Sequence, residues 1–276
     1  MAILLILLLL LAPAAKPKSK PRPIAIVEPG AVAIDYRGGL AVADRWLNRV
    51  VRIDLTTGAR RVIVSGLRDI VNVTYDDQLR LYVGAADRVY RIDGRRKTVL
   101  ATLPGLGGFE VDHDETIVAA QYENRIAFLD TVGKVSTIGG TGAEGYTGDG
   151  GPATAATFSH PHDVVLRIDR EVIVADSHNG VLRRIDPAGI VTTIARGFQA
   201  PVALAPGAGN ALFVADSQAG AIYKLSPDGG TRRLVGRATA PFSLAVDERD
   251  RIYVSELAGG RRVLQIVNGR ARVLVR

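Results

Sequence analysis

One block of sequence recurs six times along the chain, and this repeat limits the possible folds more than any other feature. Each block holds a short apolar segment, a polar or glycine-containing turn, and a second apolar segment. The blocks run from Pro29 to Asp44, Ile70 to Ala85, Leu106 to Gln121, Pro161 to Asp176, Pro201 to Asp216, and Pro241 to Glu256. They follow one another about every 40 residues, with one longer interval before the fourth, and such a period indicates a repeat architecture.

Two further strands follow each block. An alternating segment such as Arg49 to Asp54 predicts a third strand, and a segment such as Ile190 to Ala195 predicts a fourth. Four short strands in about 40 residues, with turn residues between them, are typical of a propeller blade. A lone blade leaves both of its faces exposed, whereas a ring of blades buries them. The sequence therefore predicts an all-β fold, a closed six-bladed β-propeller of four-stranded antiparallel blades.

The repeat also sets the expected domain organisation. We place the six blades at residues 29–66, 67–103, 104–140, 158–197, 198–236 and 237–276. Residues 141–157 form an insertion with five glycines, which we expect to be an ordered linker over the rim. The way in which the ring closes stays open. The last blade holds four strands of its own, but residues 24–27 could also pair with its edge.

The amino terminus indicates export. Residues 3–11 form an unbroken apolar run, and the small residues 12–15 after it resemble a cleavage site. The run is shorter than the roughly 20 residues of a transmembrane helix. Residues 1–15 are therefore predicted to be a signal peptide and residues 16–28 a basic, proline-rich tether, so the protein is expected to be secreted, periplasmic or associated with the cell envelope. Because no lysine or arginine precedes the run, an N-terminal membrane anchor is the alternative. No other membrane insertion is expected.

Composition excludes several functions. The chain has no cysteine, which excludes disulfides, a thiol nucleophile and a zinc–thiolate site. The net charge of +7 includes Lys16, Lys18, Lys20 and Arg22 of the tether, and the other arginines are spread over the repeats without a basic block. A dispersed charge of this kind does not predict a nucleic-acid partner. We expect a monomer.

The most specific sequence lies around the fourth block. It includes Gly148-Asp-Gly-Gly-Pro-Ala153 and Phe158-Ser-His-Pro-His-Asp163, and it continues to residue 195. This region resembles the NHL repeat of bacterial secreted and teneurin-like propellers. NHL propellers include binding scaffolds and a few enzymes, so the resemblance implies the fold more firmly than the activity.

Propeller geometry indicates where a ligand would bind. The loop before the first strand of each blade and the loop after its second strand lie on one face of the disk, which we call the loop face. Trp46, Tyr122 and Tyr146 are aromatic residues of these loops and of the insertion, and exposed aromatics there suit contacts with a protein or a glycan. His178 and Asn179 are expected to be solvated, and His113 to be inert in a turn of the opposite face. The acidic residues at the ends of second strands, Asp44, Asp176, Asp216 and Glu256, are expected to accept hydrogen bonds from the loops that follow them.

The sharpest local motif is His160-Pro161-His162-Asp163. His162 resembles the Pro-His step from which the zinc-dependent peptide-amidating lyases of this fold take their ligands. Those enzymes use such a histidine in three blades, because a catalytic zinc needs three protein ligands. Here the matching positions hold Gly30, Val71, Gly107, Val202 and Phe242. His162 is therefore either a structural residue at the channel edge or a ligand or acid–base group.

The regucalcin and gluconolactonase propellers offer a second comparison. They hold one divalent metal at the channel mouth with Glu, Asn and Asp, and oxygen ligands of that kind suit calcium or magnesium. The equivalent positions here are not acidic, but Asn72, Asp163 and Ser243 lie one position further along and could face the channel. They either bind a cation or a polar ligand, or form hydrogen bonds with the strands of neighbouring blades.

These observations favour a non-catalytic binding or scaffold module for a protein, a glycan or a small molecule, without a cofactor. Its expected ligand-binding residues are Asn72, His160, His162, Asp163, Ser243, Trp46, Tyr122 and Tyr146. The alternative is a metal-dependent lactonase, hydrolase or lyase, with His162 and Asp163 as catalytic residues and one divalent cation such as calcium or zinc.

Overall fold

The computed structural model describes residues 24–112, 115–167 and 169–275. They form six antiparallel four-stranded sheets, each with its strands in chain order, which confirms the all-β six-bladed propeller. Blades 1 to 3 contain β1 (Pro29–Ile34), β2 (Gly39–Asp44), β3 (Arg49–Asp54) and β4 (Arg60–Ser65); β5 (Ile70–Tyr75), β6 (Leu81–Ala85), β7 (Arg88–Asp93) and β8 (Arg96–Thr102); β9 (Leu106–Asp112), β10 (Glu115–Ala120), β11 (Arg125–Leu129) and β12 (Val135–Gly139).

Blades 4 to 6 repeat the pattern. They contain β13 (Pro161–Leu166), β14 (Val172–Asp176), β15 (Val181–Ile185) and β16 (Val191–Arg196); β17 (Pro201–Pro206), β18 (Leu212–Asp216), β19 (Ala221–Leu225) and β20 (Arg232–Arg237); β21 (Pro241–Val246), β22 (Ile252–Glu256), β23 (Val263–Val267) and β24 (Arg270–Val275). The described helices are single 3-10 turns at Gln121–Glu123, Ala153–Ala155 and Ala208–Asn210. No helix in the described ranges is long and apolar enough to cross a membrane.

The first strands line the central channel. Each of β1, β5, β9, β13, β17 and β21 contacts the first strands of both neighbouring blades, and the contact between β21 and β1 completes the ring. In every blade the pairing of the first strand with the second shifts register near its start. A bulge of this kind leaves a residue unpaired within its own sheet. Its polar groups are therefore available to the next blade.

The core lies between the blades. Most of the buried apolar side chains that the structure describes belong to six clusters, one at each junction of neighbouring blades. Second strands such as β2, β14 and β18 are buried along their whole length, because both faces of these strands are covered by neighbouring blades. This explains why they appear in the sequence as continuous runs of Val, Ile, Leu and Ala.

The ring closes without a shared strand. Residues 24–28 form no strand, and all four strands of blade 6 come from Pro241 onward. Ile26 is instead buried in the cluster between blades 6 and 1, beside Val263 and Val275. Arg60 of β4 donates a hydrogen bond of 2.9 Å to the carbonyl of Ile24. Residues 24–27 thus do not pair with the edge of the last blade, which supplies all four of its own strands.

The insertion packs against blades 3 and 4. Ala153, Ala156 and Phe158 are buried in the cluster between blades 3 and 4. Backbone hydrogen bonds join residues 150–153 to residues 189–191, at the turn between β15 and β16. The small residues of the insertion allow it to run along the side of blade 4 and pack there, because their side chains leave room for close backbone contact.

Candidate functional site

The acidic residues at the ends of the second strands stabilise loops. Asp176 accepts a hydrogen bond of 2.7 Å from the N–H of Ser159, Asp216 one of 2.9 Å from Ala200, Asp44 one of 3.2 Å from Glu28, and Glu256 one of 2.5 Å from Thr239. These donors lie in the loops before the first strands. The loops that follow the second strands also contribute, as expected, since Asp216 accepts from the N–H of Ala219 at 3.3 Å and Asp176 from Asn179 Nδ2 at 2.8 Å. In the antiparallel pair the end of the second strand lies beside the start of the first strand, as Asp176 does beside Pro161.

Asn72, Asp163 and Ser243 join neighbouring blades. Asn72 Nδ2 donates to the carbonyl of Phe109 at 2.9 Å, Asp163 Oδ2 accepts from the N–H of Leu204 at 2.8 Å, and Ser243 Oγ accepts from the N–H of Val32 at 3.0 Å. These bonds span the junctions of blades 2 and 3, 4 and 5, and 6 and 1. The equivalent positions in the other three blades hold the small residues Ala31, Gly108 and Ala203. Hydrogen bonding between blades, one of the two roles considered from the sequence, is thus present.

Asp163 occupies space that a glycine leaves free. A Cβ atom on Gly108 would overlap the carboxylate of Asp163 and lie 2.9 Å from its Cα atom. Burial in the channel raises the pKa of Asp163 to about 7, and the N–H groups of Leu204 and Val164 oppose this rise. Asp163 is thus a carboxyl group that changes its charge near neutral pH while it holds two blades together.

His162 presents a neutral imidazole to the channel. Burial lowers its pKa to about 4, so the ring is uncharged at neutral pH. Its ring meets the ring of Phe242 edge to face, with 6.0 Å between the centroids. His162 therefore contributes an apolar surface and a hydrogen-bonding nitrogen rather than a positive charge.

A cavity of about 190 Å³ opens at the channel mouth on the loop face, and we call it the mouth cavity. Its lining includes five of the expected ligand-binding residues, namely Asn72, Tyr122, His162, Asp163 and Ser243. The lining also includes Arg45, whose guanidinium lies over the ring of Phe242 at 5.6 Å from the centroid. Among the described residues Arg45 forms no ion pair with a carboxylate. The mouth cavity thus combines one positive charge that has no ion pair with aromatic and apolar walls, and its polar wall includes the Asp163 carboxyl.

The other three expected ligand-binding residues lie elsewhere. Trp46 is 67% exposed on the loop after β2, and His160 stacks against His178. Tyr146 packs on blade 4, where the guanidinium groups of Arg183 and Arg196 lie over its ring at 5.1 and 5.3 Å. The structure therefore does not bring Tyr146 to the mouth cavity beside Tyr122. His113 lies outside the described residues.

Sequence reasoning missed Glu110. This residue of β9 lines a smaller cavity of about 90 Å³, deeper in the channel, together with Tyr36 and Tyr75. Burial raises the pKa of Glu110 to about 8, and the negative charges of Asp163 and Asp112 add to the rise. Its position two residues after Gly108 on an inner strand is the signal that could have identified it, because alternate residues of a strand share a face.

Comparisons with known proteins support the fold. No protein-family model matches the chain, and no curated protein matches it either. Among solved structures, a streptogramin B lyase aligns with a TM-score of 0.67 at 14% identity, over 92% of this chain and 84% of that one. Virginiamycin B lyase from Staphylococcus aureus aligns with a TM-score of 0.64 at 15% identity, over 90% and 84%.

Another similar structure is that of regucalcin, a calcium-binding protein from Agrobacterium tumefaciens. It aligns with a TM-score of 0.65 at 14% identity, over 90% of this chain and 93% of that one. These alignments extend over most of each chain. At such low identity the likeness shows the fold and does not transfer an activity, since one fold carries many functions.

Proposed function

We propose that the protein is an exported binding module of the NHL-repeat type. In this proposal the mouth cavity binds a small molecule, or the end of a peptide, that carries an anionic group beside an apolar group. The observation that carries the proposal is the guanidinium of Arg45, which lines the cavity, lies over Phe242 and has no carboxylate partner among the described residues. Arginine is well suited to this role because its planar fork binds carboxylates in a fixed geometry.

The other walls of the cavity support the same ligand chemistry. His162 is uncharged at neutral pH and lies edge to face with Phe242, so this side of the cavity favours apolar or aromatic groups. Tyr122 is 70% exposed and can cover a ligand from the rim. Ligand sites commonly combine apolar walls with a few polar groups that fix orientation.

A metal-dependent reaction at His162 and Asp163 has less support. Both Asn72 and Asp163 use side-chain atoms to hold neighbouring blades together, and Ser243 does the same. The His162 ring lies against Phe242. Glu144, His160 and His178, which form a group of potential metal ligands among the described residues, lie outside this cavity.

The proposal predicts that Arg45→Gln weakens binding of an aromatic carboxylate. N-acetylphenylalanine is a suitable probe, and its neutral amide is the matched compound. We expect at least a tenfold loss of affinity for the carboxylate, roughly 1.4 kcal/mol, with little change for the amide, because a hydrogen bond to a charged group contributes about that much. Titration followed by NMR or calorimetry measures both affinities.

The matched control is Arg37→Gln, an exposed arginine in the turn between β1 and β2 on the opposite face. It should bind both compounds as the wild type does. Equal binding of the carboxylate by wild type and Arg45→Gln would exclude Arg45 as the anion-binding residue. Failure of the wild type to bind either compound would argue against the ligand class.

A further inference from the structure

A cluster of three potential metal ligands lies on the loop face of blade 4. The imidazole rings of His160 and His178 are stacked with 4.0 Å between centroids. His178 Nδ1 lies 4.0 Å from Glu144 Oε1. One ligand atom from each of the three residues lies within 4.8 Å of the other two. The three ligand atoms are therefore close enough to share one ion, which requires the stacked imidazole rings to turn toward it about their side-chain bonds.

The surrounding backbone holds each member of this cluster in place. His160 has a positive φ of 48°, and its N–H donates to Asn124 Oδ1 at 2.9 Å. The N–H of His178 donates to the carbonyl of Ser159 at 3.1 Å, and Ser159 Oγ donates to Glu144 Oε1 at 2.7 Å. A hydrogen bond to a ligating carboxylate, such as the one from Ser159 to Glu144, is typical of metal sites. The backbone that carries the two histidines is thus fixed by hydrogen bonds.

An unsatisfied nitrogen is the second observation that points to a ligand. Nδ1 of His160 is buried and has no hydrogen-bond partner in the described part of the chain. Leaving a buried polar atom without a partner is unfavourable. A bound cation accepts the lone pair of an imidazole nitrogen and would remove this deficit.

The cluster is open to solvent on one side. A cleft of about 520 Å³ is lined by Glu144 and His178, together with the polar residues Ser177, Asn179, Gln199 and Gln218. A metal held by three protein ligands keeps a further coordination position for water or another molecule. In this cluster that position would face the polar cleft.

We propose that Glu144, His160 and His178 bind one zinc ion. Two imidazoles and one carboxylate suit zinc, whereas calcium and magnesium prefer all-oxygen sites. The site is separate from the mouth cavity, although Tyr122 lines that cavity and meets the His160 ring edge to face at 5.8 Å. The ion joins the insertion, which supplies Glu144, to the loops before β13 and after β14.

The test uses the full chain without a histidine tag, stripped of metal with a chelator. Calorimetric titration with zinc should show one equivalent bound, and calcium and magnesium should bind far more weakly. Cobalt should give the visible absorption of a four-coordinate ion. His178→Gln and Glu144→Gln should each weaken zinc binding at least tenfold. Both residues are exposed, so these variants should fold normally, which circular dichroism checks.

His162→Gln is the matched control, because it removes a histidine of the mouth cavity and leaves the cluster intact. It should bind zinc as the wild type does. The proposal is overturned if the stripped wild type binds no zinc, or if His178→Gln binds zinc with unchanged affinity. Arg45→Gln should bind zinc normally, so failure of the zinc site and failure of the mouth cavity as an anion site give different results.

Discussion

Arg183→Ala is expected to destabilise the fold by about 3–5 kcal/mol, because it removes one partner of a buried ion pair and leaves the other without compensation. The Arg183 side chain is fully buried. Its guanidinium lies 3.0 Å from Asp149 Oδ1 and 3.6 Å from Asp176 Oδ2. It also donates to the carbonyl of Thr147 at 3.0 Å. One side chain thus connects the insertion to blade 4.

Aromatic rings complete the environment of Arg183. Its guanidinium lies 5.1 Å from the centroids of both Tyr146 and Phe158. Burial raises the pKa of Asp176 to about 6 even though the charge of Arg183 lowers it. Without the arginine, Asp176 would be a buried carboxylate with no cation, and this is the main source of the expected loss.

The midpoint of denaturant unfolding measures the effect. Arg184→Ala is the matched control, because the next residue of β15 is 36% exposed and pairs with Glu171 at 3.1 Å. A surface pair of this kind contributes about 1 kcal/mol or less. A loss in Arg183→Ala that is no larger than the loss in Arg184→Ala would contradict the structural role.

A double-mutant cycle refines this prediction. Asp176→Asn keeps an oxygen that can accept from Ser159 but removes the buried charge. If the charge pair is the main interaction, the double variant should lose less free energy of unfolding than the two single variants lose together. The reason is that the effects of substitutions at interacting residues are not additive. Hydrogen exchange should also show faster opening of residues 145–150 in Arg183→Ala, since three contacts of Arg183 lie in that segment.

The sequence predicts the fold well but not Arg183. Periodicity identifies the strands, because the same succession of apolar segments and turns recurs in every blade. In β15, however, Arg183 and Arg184 follow each other, and nothing in the repeat pattern distinguishes the buried arginine from its partly exposed neighbour. The insertion covers one face of the strand and buries Arg183. That path depends on contacts between residues 150–153 and 189–191, which no local pattern contains.

The sequence likewise predicts only part of the candidate site. The third position of the repeated block correctly places Asn72, Asp163 and Ser243 in the channel wall. Their partners Phe109, Leu204 and Val32 lie in the next blade, and only the ring geometry brings them within hydrogen-bonding distance. The pairing of Glu144 with His178 likewise requires the folded path of the insertion. Local sequence thus predicts which residues face the channel, whereas their partners depend on tertiary contacts.

Glu110→Gln is expected to stabilise the protein by roughly 2 kcal/mol at about pH 9 and to leave its stability nearly unchanged at about pH 4. Glu110 lies in the channel and forms no hydrogen bond or ion pair with the described residues. Its pKa is about 8 in the folded chain, against an ordinary value of 4.5. The expected effect is smaller than the full shift would give, because water in the channel screens the charge.

The sign follows from proton binding. Between the ordinary pKa and about 8 the unfolded chain releases the Glu110 proton while the folded chain retains it. The free energy of unfolding therefore falls as the pH rises through this interval and is constant above it. Glutamine has no proton to release, so this part of the loss should be absent in the variant. Denaturant unfolding at several pH values measures the difference.

Glu123→Gln is the matched control, because Glu123 is exposed on the loop face and lies 3.8 Å from Arg125. The free energy of unfolding of Glu123→Gln should depend on pH in the same way as that of the wild type. Asp163→Asn should lower the pKa of Glu110, since the charge of Asp163 contributes to the rise. Glu110→Gln should then stabilise the Asp163→Asn protein less than it stabilises the wild type. The free energy of unfolding of Glu110→Gln and that of the wild type could instead differ by a constant amount from about pH 4 to about pH 9. That result would mean that Glu110 has the same pKa in the folded and unfolded chains and would contradict the prediction.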